Sequence, residues 1–556
     1  MVTIAEITGA QAFTGNAGFH LSEARIRSER QRGFWPDRVL TDYFDETLQD
    51  RPDATALVAY RAGTKQETKL SCRELNRRVS LIATKLSSLG INQGDVVSFQ
   101  LPNWWQFIAI HLACIRLGAI SNPLTPIFRT RELEYMLGHT ASRVLIVPKT
   151  FRGFDYEIQA RQLQQALPTL QHILVIDGTN DDAFELIFSE GSEPVTPMQT
   201  RLQPNDILKL MFTSGTTGEP KAVMHTSNTL LCAVNEAHRR LQLNENDVVF
   251  MPMPFAHSIG FLYGIMLAVN LGATLVTMDE WDVDRAINLI ERHAVTYTFA
   301  STPFLLDLVN APDLQERNLD SLRLFVTSGA PVPRDLVPRA RDSLHANIVT
   351  GWGMTEVGLV ASTFPEMEAA GTGTDGIAMP CAEVRVVDDD GHEKPRGEVG
   401  HLQCRGSTVF PGYFKRPDLY TVDEHGWFDS GDLASMNDEG YITIAARDKE
   451  IIIRGGENIP VIEVENLLSG MPQIHEAALV AMPDPRLGEK GCAFVSLEPG
   501  CRLTLQEMQE FMIANGLTKQ YMPERLEIVD ELPKTPSGKV QKFVLRDKAR
   551  QLAESV

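Results

Sequence analysis

The stretch that decides the fold is Thr213-Ser214-Gly215-Thr216-Thr217-Gly218-Glu219-Pro220-Lys221, which follows the apolar run Ile207–Phe212. Its residue types suit a phosphate. Small hydroxyl residues let backbone N–H and side-chain O–H groups converge on an anion, Gly215 and Gly218 permit turn dihedrals, and Lys221 adds a positive charge. An ordinary P-loop ends in Gly-Lys-Ser/Thr, whereas here Pro220 precedes the lysine and Ala222 follows it, which disfavours a kinase or GTPase. Taken alone, the segment is equally compatible with a Ser/Thr/Gly turn that holds nothing.

Other stretches weigh against that bland alternative. In chain order they are Gly351-Trp352-Gly353-Met354-Thr355-Glu356, Gly426-Trp427-Phe428-Asp429-Ser430-Gly431-Asp432, Arg447-Asp448-Lys449 and Pro533-Lys534-Thr535-Pro536-Ser537-Gly538-Lys539. Between them lie Pro254-Phe255-Ala256-His257-Ser258-Ile259-Gly260-Phe261 and the strand-ending Ser328-Gly329-Ala330-Pro331.

The 556 residues predict roughly three or four structural units at about 150 residues each. With 43% hydrophobic and 22% charged residues, the composition is that of a globular enzyme. The formal charge is −20, with 52 Lys and Arg against 72 Asp and Glu, which argues against a general nucleic-acid surface. Any anionic ligand must therefore meet a local positive site. Seven cysteines, in no CxxC or zinc spacing, suit a reducing cytoplasm. The N-terminus lacks a secretory pattern, and the most apolar run, Phe107 to Ile120, holds His111 and Arg116 and is too short to span a bilayer. The expectation is no integral membrane segment; peripheral lipid contact and a homodimer stay open.

The polar segment up to about residue 35 reads as an exposed amphipathic helix with a solvated charged face. From Leu40 onward, helices alternate with apolar strands: Ala54–Tyr60, Cys72–Leu89, Val96–Leu101, Trp105–Leu117 and Arg143–Val147. That alternation favours α/β units with a partly parallel sheet, with Trp104 and Trp105 in the core. Met224–Leu241 reads as a helix with Thr226 or Ser227 as N-cap. Strands are expected at Val248–Met253, Ala273–Met278 and Leu322–Thr327. From Val384 to Phe410 short strands and turns take over. After Lys449 a compact α/β unit of about 100 residues follows.

The five motifs, in this order over most of the chain, resemble the adenylate-forming superfamily of acyl-CoA synthetases, peptide-synthetase adenylation domains and beetle luciferase. The resemblance implies an α/β fold: a large N-terminal domain, residues 1–447, containing a small β subdomain at about 380–447, and a small mobile C-terminal α+β domain, residues 448–556. It also implies attack of a carboxylate on the α-phosphorus of ATP, giving acyl-AMP and pyrophosphate, then attack by coenzyme A and loss of AMP. Thr213 to Gly218 (Ser214, Gly215, Thr216 and Thr217 among them) and Lys221 would hold the outer phosphates. Thr355 would bond the α-phosphate and Glu356 would ligate Mg²⁺, whose hard charge prefers oxygen. Gly351 to Met354 and Ser328 to Pro331 would flank the nucleotide, with Trp352 stacked on adenine where the family more often has Tyr. Asp432 and Arg447 would hold the ribose.

Lys539 would bridge the carboxylate and the α-phosphate, where charge builds up in the transition state. Lys449 would be the hinge, and rotation there would present Gly455-Gly456-Glu457 to the thioester-forming site. His257, Phe261, Ser301, Gly329 and Gly353 would surround the acyl group. The acyl segments 255–261, 297–305 and 328–330 contain no Arg or Lys to pair with a second carboxylate, so a hydrophobic monocarboxylic acid is expected. Arg323 and Arg334 lie near enough in sequence to alter that. The resemblance extends to bacterial short- and medium-chain acyl-CoA and cyclohexanecarboxylate-CoA ligases. Competing readings are an enzyme that loads a carrier protein, a luciferase-like oxidase, and a nucleotide-binding regulator without catalysis. Retention of Thr355, Glu356 and Lys539 weighs against the last. Ala222, where the family has Gly, is expected to be tolerated.

Overall fold

The computed structural model describes residues 18–189, 201–213, 220–330, 332–333, 335–365, 373–447, 450–454, 457–485, 487–517, 519–535 and 538–554, with only the backbone of Glu457, Asn458 and Gln520. Ser214 to Gly218, Pro331, Arg334, Lys449, Gly455 and Gly456 lie outside the described residues, as does the side chain of Glu457.

A nine-stranded sheet forms the centre of the large domain. Five neighbouring strands in it, Asn347–Met354, Leu324–Thr327, Tyr297–Ala300, Val248–Met251 and Thr274–Met278, run parallel. Beside it lies a six-stranded sheet, in the spatial order 221–226, 207–213, 120–124, 96–100, 144–148, 172–176. Such near-continuous apolar strands need both faces covered. The helix Trp105–Leu117 shows how: residues 106–117 are all buried, and it touches Thr55–Arg61 of one sheet and Ile120–Leu124 of the other. A helix apolar all round has to be enclosed on every side. Each fully buried Leu, Ile or Phe on it contributes about 1.5–3 kcal/mol.

A four-stranded antiparallel sheet of Ala382–Val387, Gly400–Gly406, Phe428–Met436 and Ile442–Arg447 follows. It has its own core around Cys404, Phe410, Phe428 and Ile442. The small C-terminal domain is a further, mostly antiparallel sheet, led by Ile474–Asp484 against Gly488–Leu497. Helices Val461–Ser469, Leu505–Ala514 and Lys542–Glu554 accompany it. The observed architecture is thus the α/β fold expected, with a large N-terminal and a small C-terminal domain.

Two local expectations change. Met224–Thr226 is not the start of a helix: Lys221–Thr226 is a strand antiparallel to Ile207–Thr213, and the helix is Ser227–Arg240, capped by Thr226. Ala222 sits in that strand opposite Phe212, where a β-carbon is no handicap. The N-terminal helix Glu23–Arg32 is exposed on only part of its circumference. Glu29 is buried and accepts from the Ser407 hydroxyl, Arg25 donates to the Val409 carbonyl, and the Trp35 indole donates to the Ser407 carbonyl at 2.9 Å.

Candidate active site

Four adjacent parallel strands end at one edge of the central sheet, and each end leads into a candidate segment. Met251 leads to Pro254–His257, Ala300 to Ser301, Thr327 to Ser328–Ala330, and Met354 to Thr355 and Glu356. Ligands in open α/β sheets lie beyond such carboxyl ends. The turns also touch one another, since Thr302 Oγ1 donates to the Ala330 carbonyl at 3.3 Å. Gly353 has to be glycine: a β-carbon there would come within 2.1 Å of the Gly358 carbonyl oxygen in the neighbouring strand.

The ends of the phosphate-loop candidate are fixed by the antiparallel pair, because Thr213 is the cross-strand partner of Lys221. Lys221 Nζ stands 5.2 Å from the centroid of Tyr413, and the Tyr413 hydroxyl donates to Glu356 Oε1 at 3.0 Å. Burial raises the Glu356 pKa, and Arg447 and Lys221 counteract this. A buried carboxylate met only by neutral donors, here its own backbone N–H and the Tyr413 hydroxyl among the described residues, is stabilised by a cation, so this donor set fits a hard divalent ion. The backbone of Thr355 is tied down from below, where His225 Nε2 donates to its carbonyl at 2.7 Å. Burial pushes the His225 pKa down to about 4, so the ring is neutral and its single proton faces that carbonyl.

The ribose candidate is a three-residue junction. Asp432 and Arg447 are cross-strand partners in the four-stranded sheet, with Arg447 Nε 2.6 Å from Asp432 Oδ1. Trp352 Nε1 donates to Asp432 Oδ2 at 2.9 Å. Burial raises the Asp432 pKa; the Arg447 charge and the Trp352 bond oppose it.

Lys539 reaches this junction from the C-terminal domain. Its loop is closed by Thr535 N–H donating to the Lys539 carbonyl at 2.8 Å and Gln541 N–H to the Pro533 carbonyl at 2.7 Å. Next to it, Gly538 has φ +77°, and a β-carbon there would come 3.1 Å from Pro303 Cγ and 3.3 Å from Ser301 Oγ. The side chain of Lys539 keeps solvent contact, yet the surrounding protein lowers its pKa, as does Arg447, while Glu450 and Asp432 act to raise it. Across the cleft, His257 is half-buried, and its Nδ1 accepts from Ile259 N–H at 3.3 Å. Burial, with the charges of Lys539 and Lys209, takes its pKa down to about 4. Phe261 follows one turn later, its N–H donating to the His257 carbonyl at 2.9 Å, on the π-helical turn Gly260–Met266. Arg323 is turned to Asp247 by bonds of 2.9 and 3.0 Å, not to the acyl segments.

Three residues of this cluster carry no motif signal: His225, Tyr413 and Lys209. Only Lys209 leaves a trace in sequence, as the one charge in the run Ile207–Phe212.

Comparison with known proteins agrees with this geometry. The AMP-binding enzyme family matches residues 44–414, and the AMP-binding enzyme C-terminal domain matches residues 463–539. A medium-chain fatty-acid–CoA ligase of Escherichia coli (strain K12) is 36% identical over 544 residues, covering 96% of this chain and 95% of that protein. A 2,3-dihydroxybenzoate-AMP ligase of Bacillus subtilis (strain 168) is 31% identical, covering 93% and 97%. Among solved structures, the amide bond synthetase McbA of Marinactinospora thermotolerans superposes with a TM-score of 0.81 at 26% identity, covering 92% of this chain and 99% of its own. The chain therefore belongs to the AMP-binding enzyme family and is an adenylate-forming acid ligase.

Proposed function

We propose that the chain is an AMP-forming acid–CoA ligase acting on a carboxylic acid with an apolar body. The observation that supports it most is the approach of the C-terminal domain's Gly538-Lys539 to the large domain, Gly538 beside the Ser301 turn and Lys539 within reach of the charges of Arg447 and Asp432. In this reading Asp432 and Arg447 hold the ribose, and Trp352 lines the adenine side. Thr213 to Gly218 and Lys221 take the outer phosphates. The carboxylate oxygen attacks the α-phosphorus, the bond to the bridging oxygen breaks, and pyrophosphate leaves with its charge met by Lys221 and the loop. Lys539 spans the attacking carboxylate and the α-phosphate, so the two anions approach at lower cost. Glu356, held by Tyr413, would carry Mg²⁺, which neutralises phosphate charge when bound.

The second half-reaction needs the lysine withdrawn. We place the domain boundary between Arg447 and Asp448, with Lys449 as pivot and Gly455 to Glu457 brought round to the thiol. The coenzyme A thiolate then attacks the acyl carbon and AMP departs. The 36% identity to a medium-chain fatty-acid–CoA ligase favours coenzyme A as acceptor and an aliphatic acid. No helix among the described residues is long and apolar enough to cross a membrane.

The test is a panel of fatty, alicyclic, aromatic, dicarboxylic and amino acids, followed by pyrophosphate release and by AMP formation with coenzyme A or a phosphopantetheinyl carrier. Highest turnover is expected with an apolar acid and free coenzyme A. Preference for an amino acid, or AMP formation only with the carrier, would contradict the assignment.

A further inference from the structure

Beneath Phe261 lies an amine that the chemistry above does not use. Lys209 is fully buried, and its Nζ has no hydrogen-bond partner among the described residues. Burial lowers its pKa well below that of an ordinary lysine, and no carboxylate among the described residues counteracts it. A second unpaired atom is close by. His111 Nδ1 bonds Ser121 Oγ at 2.8 Å, but His111 Nε2, equally buried, has no hydrogen-bond partner among the described residues.

Phe261 joins the two. Lys209 Nζ lies 2.9 Å from its ring centroid, and the His111 ring meets it edge-on at 4.7 Å. Strand register puts Ser121, Lys209 and His225 side by side across three strands, and His225 is the residue that holds Thr355. This polar row thus lies against Phe261, one helical turn beyond His257, and His257 is the side chain that feels the charges of both Lys209 and Lys539. Buried donors left unpaired are costly, and a low-dielectric surrounding strengthens any partner they acquire.

We propose that Lys209, with His111 Nε2 beside it, receives a neutral oxygen acceptor, a hydroxyl or carbonyl, at the end of the acyl substrate remote from its reacting carboxyl. Phe261 turns aside to admit it. A hydroxyl accepts from the amine and, in the tautomer whose Nδ1 donates to Ser121 Oγ, donates to His111 Nε2; a carbonyl accepts from the amine alone. A second carboxylate fits less well, because its burial needs more than one neutralising partner. This reading rests on the acid-ligase assignment and narrows its substrate to apolar acids with an oxygen function at the far end.

The experiment measures kcat/KM by pyrophosphate release for matched acids: octanoate against ω-hydroxyoctanoate and suberate, and benzoate against 4-hydroxybenzoate. The wild type should favour a hydroxylated member of at least one pair by about tenfold or more, since sites built around a hydrogen bond reject analogues lacking it. Lys209→Met should lose that preference and gain on the plain acid, while Lys209→Gln, which keeps a donor, should retain part of it. A wild type that prefers the plain acid in every pair would overturn the proposal, as would suberate as best substrate or a Met variant with unchanged ranking. If Lys209→Met does not fold, the wild-type ranking and the Gln variant still decide. Good turnover of plain acids without oxygen preference removes this inference alone; no turnover of any acid removes the ligase assignment beneath it.

Discussion

The Trp352 indole N–H donates to Asp432 Oδ2 at 2.9 Å, tying the last strand of the parallel array to the four-stranded sheet that leads into the C-terminal domain. The carboxylate is nearly inaccessible, with 2% of its surface exposed, and Arg447 occupies its other oxygen. Its orientation therefore depends on both donors.

Trp352→Phe keeps an aromatic face and removes the indole donor. Leaving a buried carboxylate one bond short costs on the order of 1–3 kcal/mol. KM for ATP should rise about tenfold with a smaller change in kcat, read from initial rates at saturating acid. An unchanged KM for ATP would show that the bond plays no part in nucleotide binding.

His225 predicts a dependence of stability on pH. Its folded pKa, about 4, lies below the ordinary 6.5, so between those values the unfolded chain binds the proton and the folded one does not. Stability is then lost as the pH falls from about 6.5 to about 4, by on the order of 1–3 kcal/mol for this group. Denaturant unfolding of wild type and His225→Asn across that range should differ in slope, the variant being flatter. Parallel curves would contradict a neutral, buried His225.

Tyr413→Phe removes a hydroxyl that donates to Glu356 Oε1. The Mg²⁺ concentration for half-maximal rate should increase several-fold, with the rate at saturating Mg²⁺ lowered by about tenfold or less. Titration of adenylation rate with Mg²⁺ checks this. A variant with the wild-type Mg²⁺ response would separate Glu356 from the metal.

Much of this cluster is legible in the sequence because it falls in short motifs that resemble those of the adenylate-forming superfamily. Thr355-Glu356, Asp432 and Lys539 are read from their motifs, and the structure brings them to one cleft. The strand end carrying Ser328 is readable too, since parallel strands declare themselves as apolar runs bounded by turns, whereas the strand Tyr297–Ala300 before Ser301 merges in sequence with the apolar helix that follows it. His225 and Tyr413 escape notice because each acts across the fold: His225 lies 130 positions from the carbonyl it holds, and Tyr413 lies 57 from Glu356. Met224–Thr226 is misread as helical because an apolar segment beside a capping Thr suits either structure until the partner strand is known. The N-terminal helix carries charges that look solvated, and the Ser407 and Val409 partners that bury two of them come from more than 370 positions away.

The central claim is that one lysine serves the first half-reaction and leaves for the second. It is tested most directly by measuring both half-reactions of Lys539→Ala: acyl-AMP formation from acid and ATP, and acyl-CoA formation from supplied acyl-AMP. The account predicts that the first falls by at least about a hundredfold, the scale of losing one charge-stabilising group, while the second stays near the wild-type rate. Equal loss in both would contradict it.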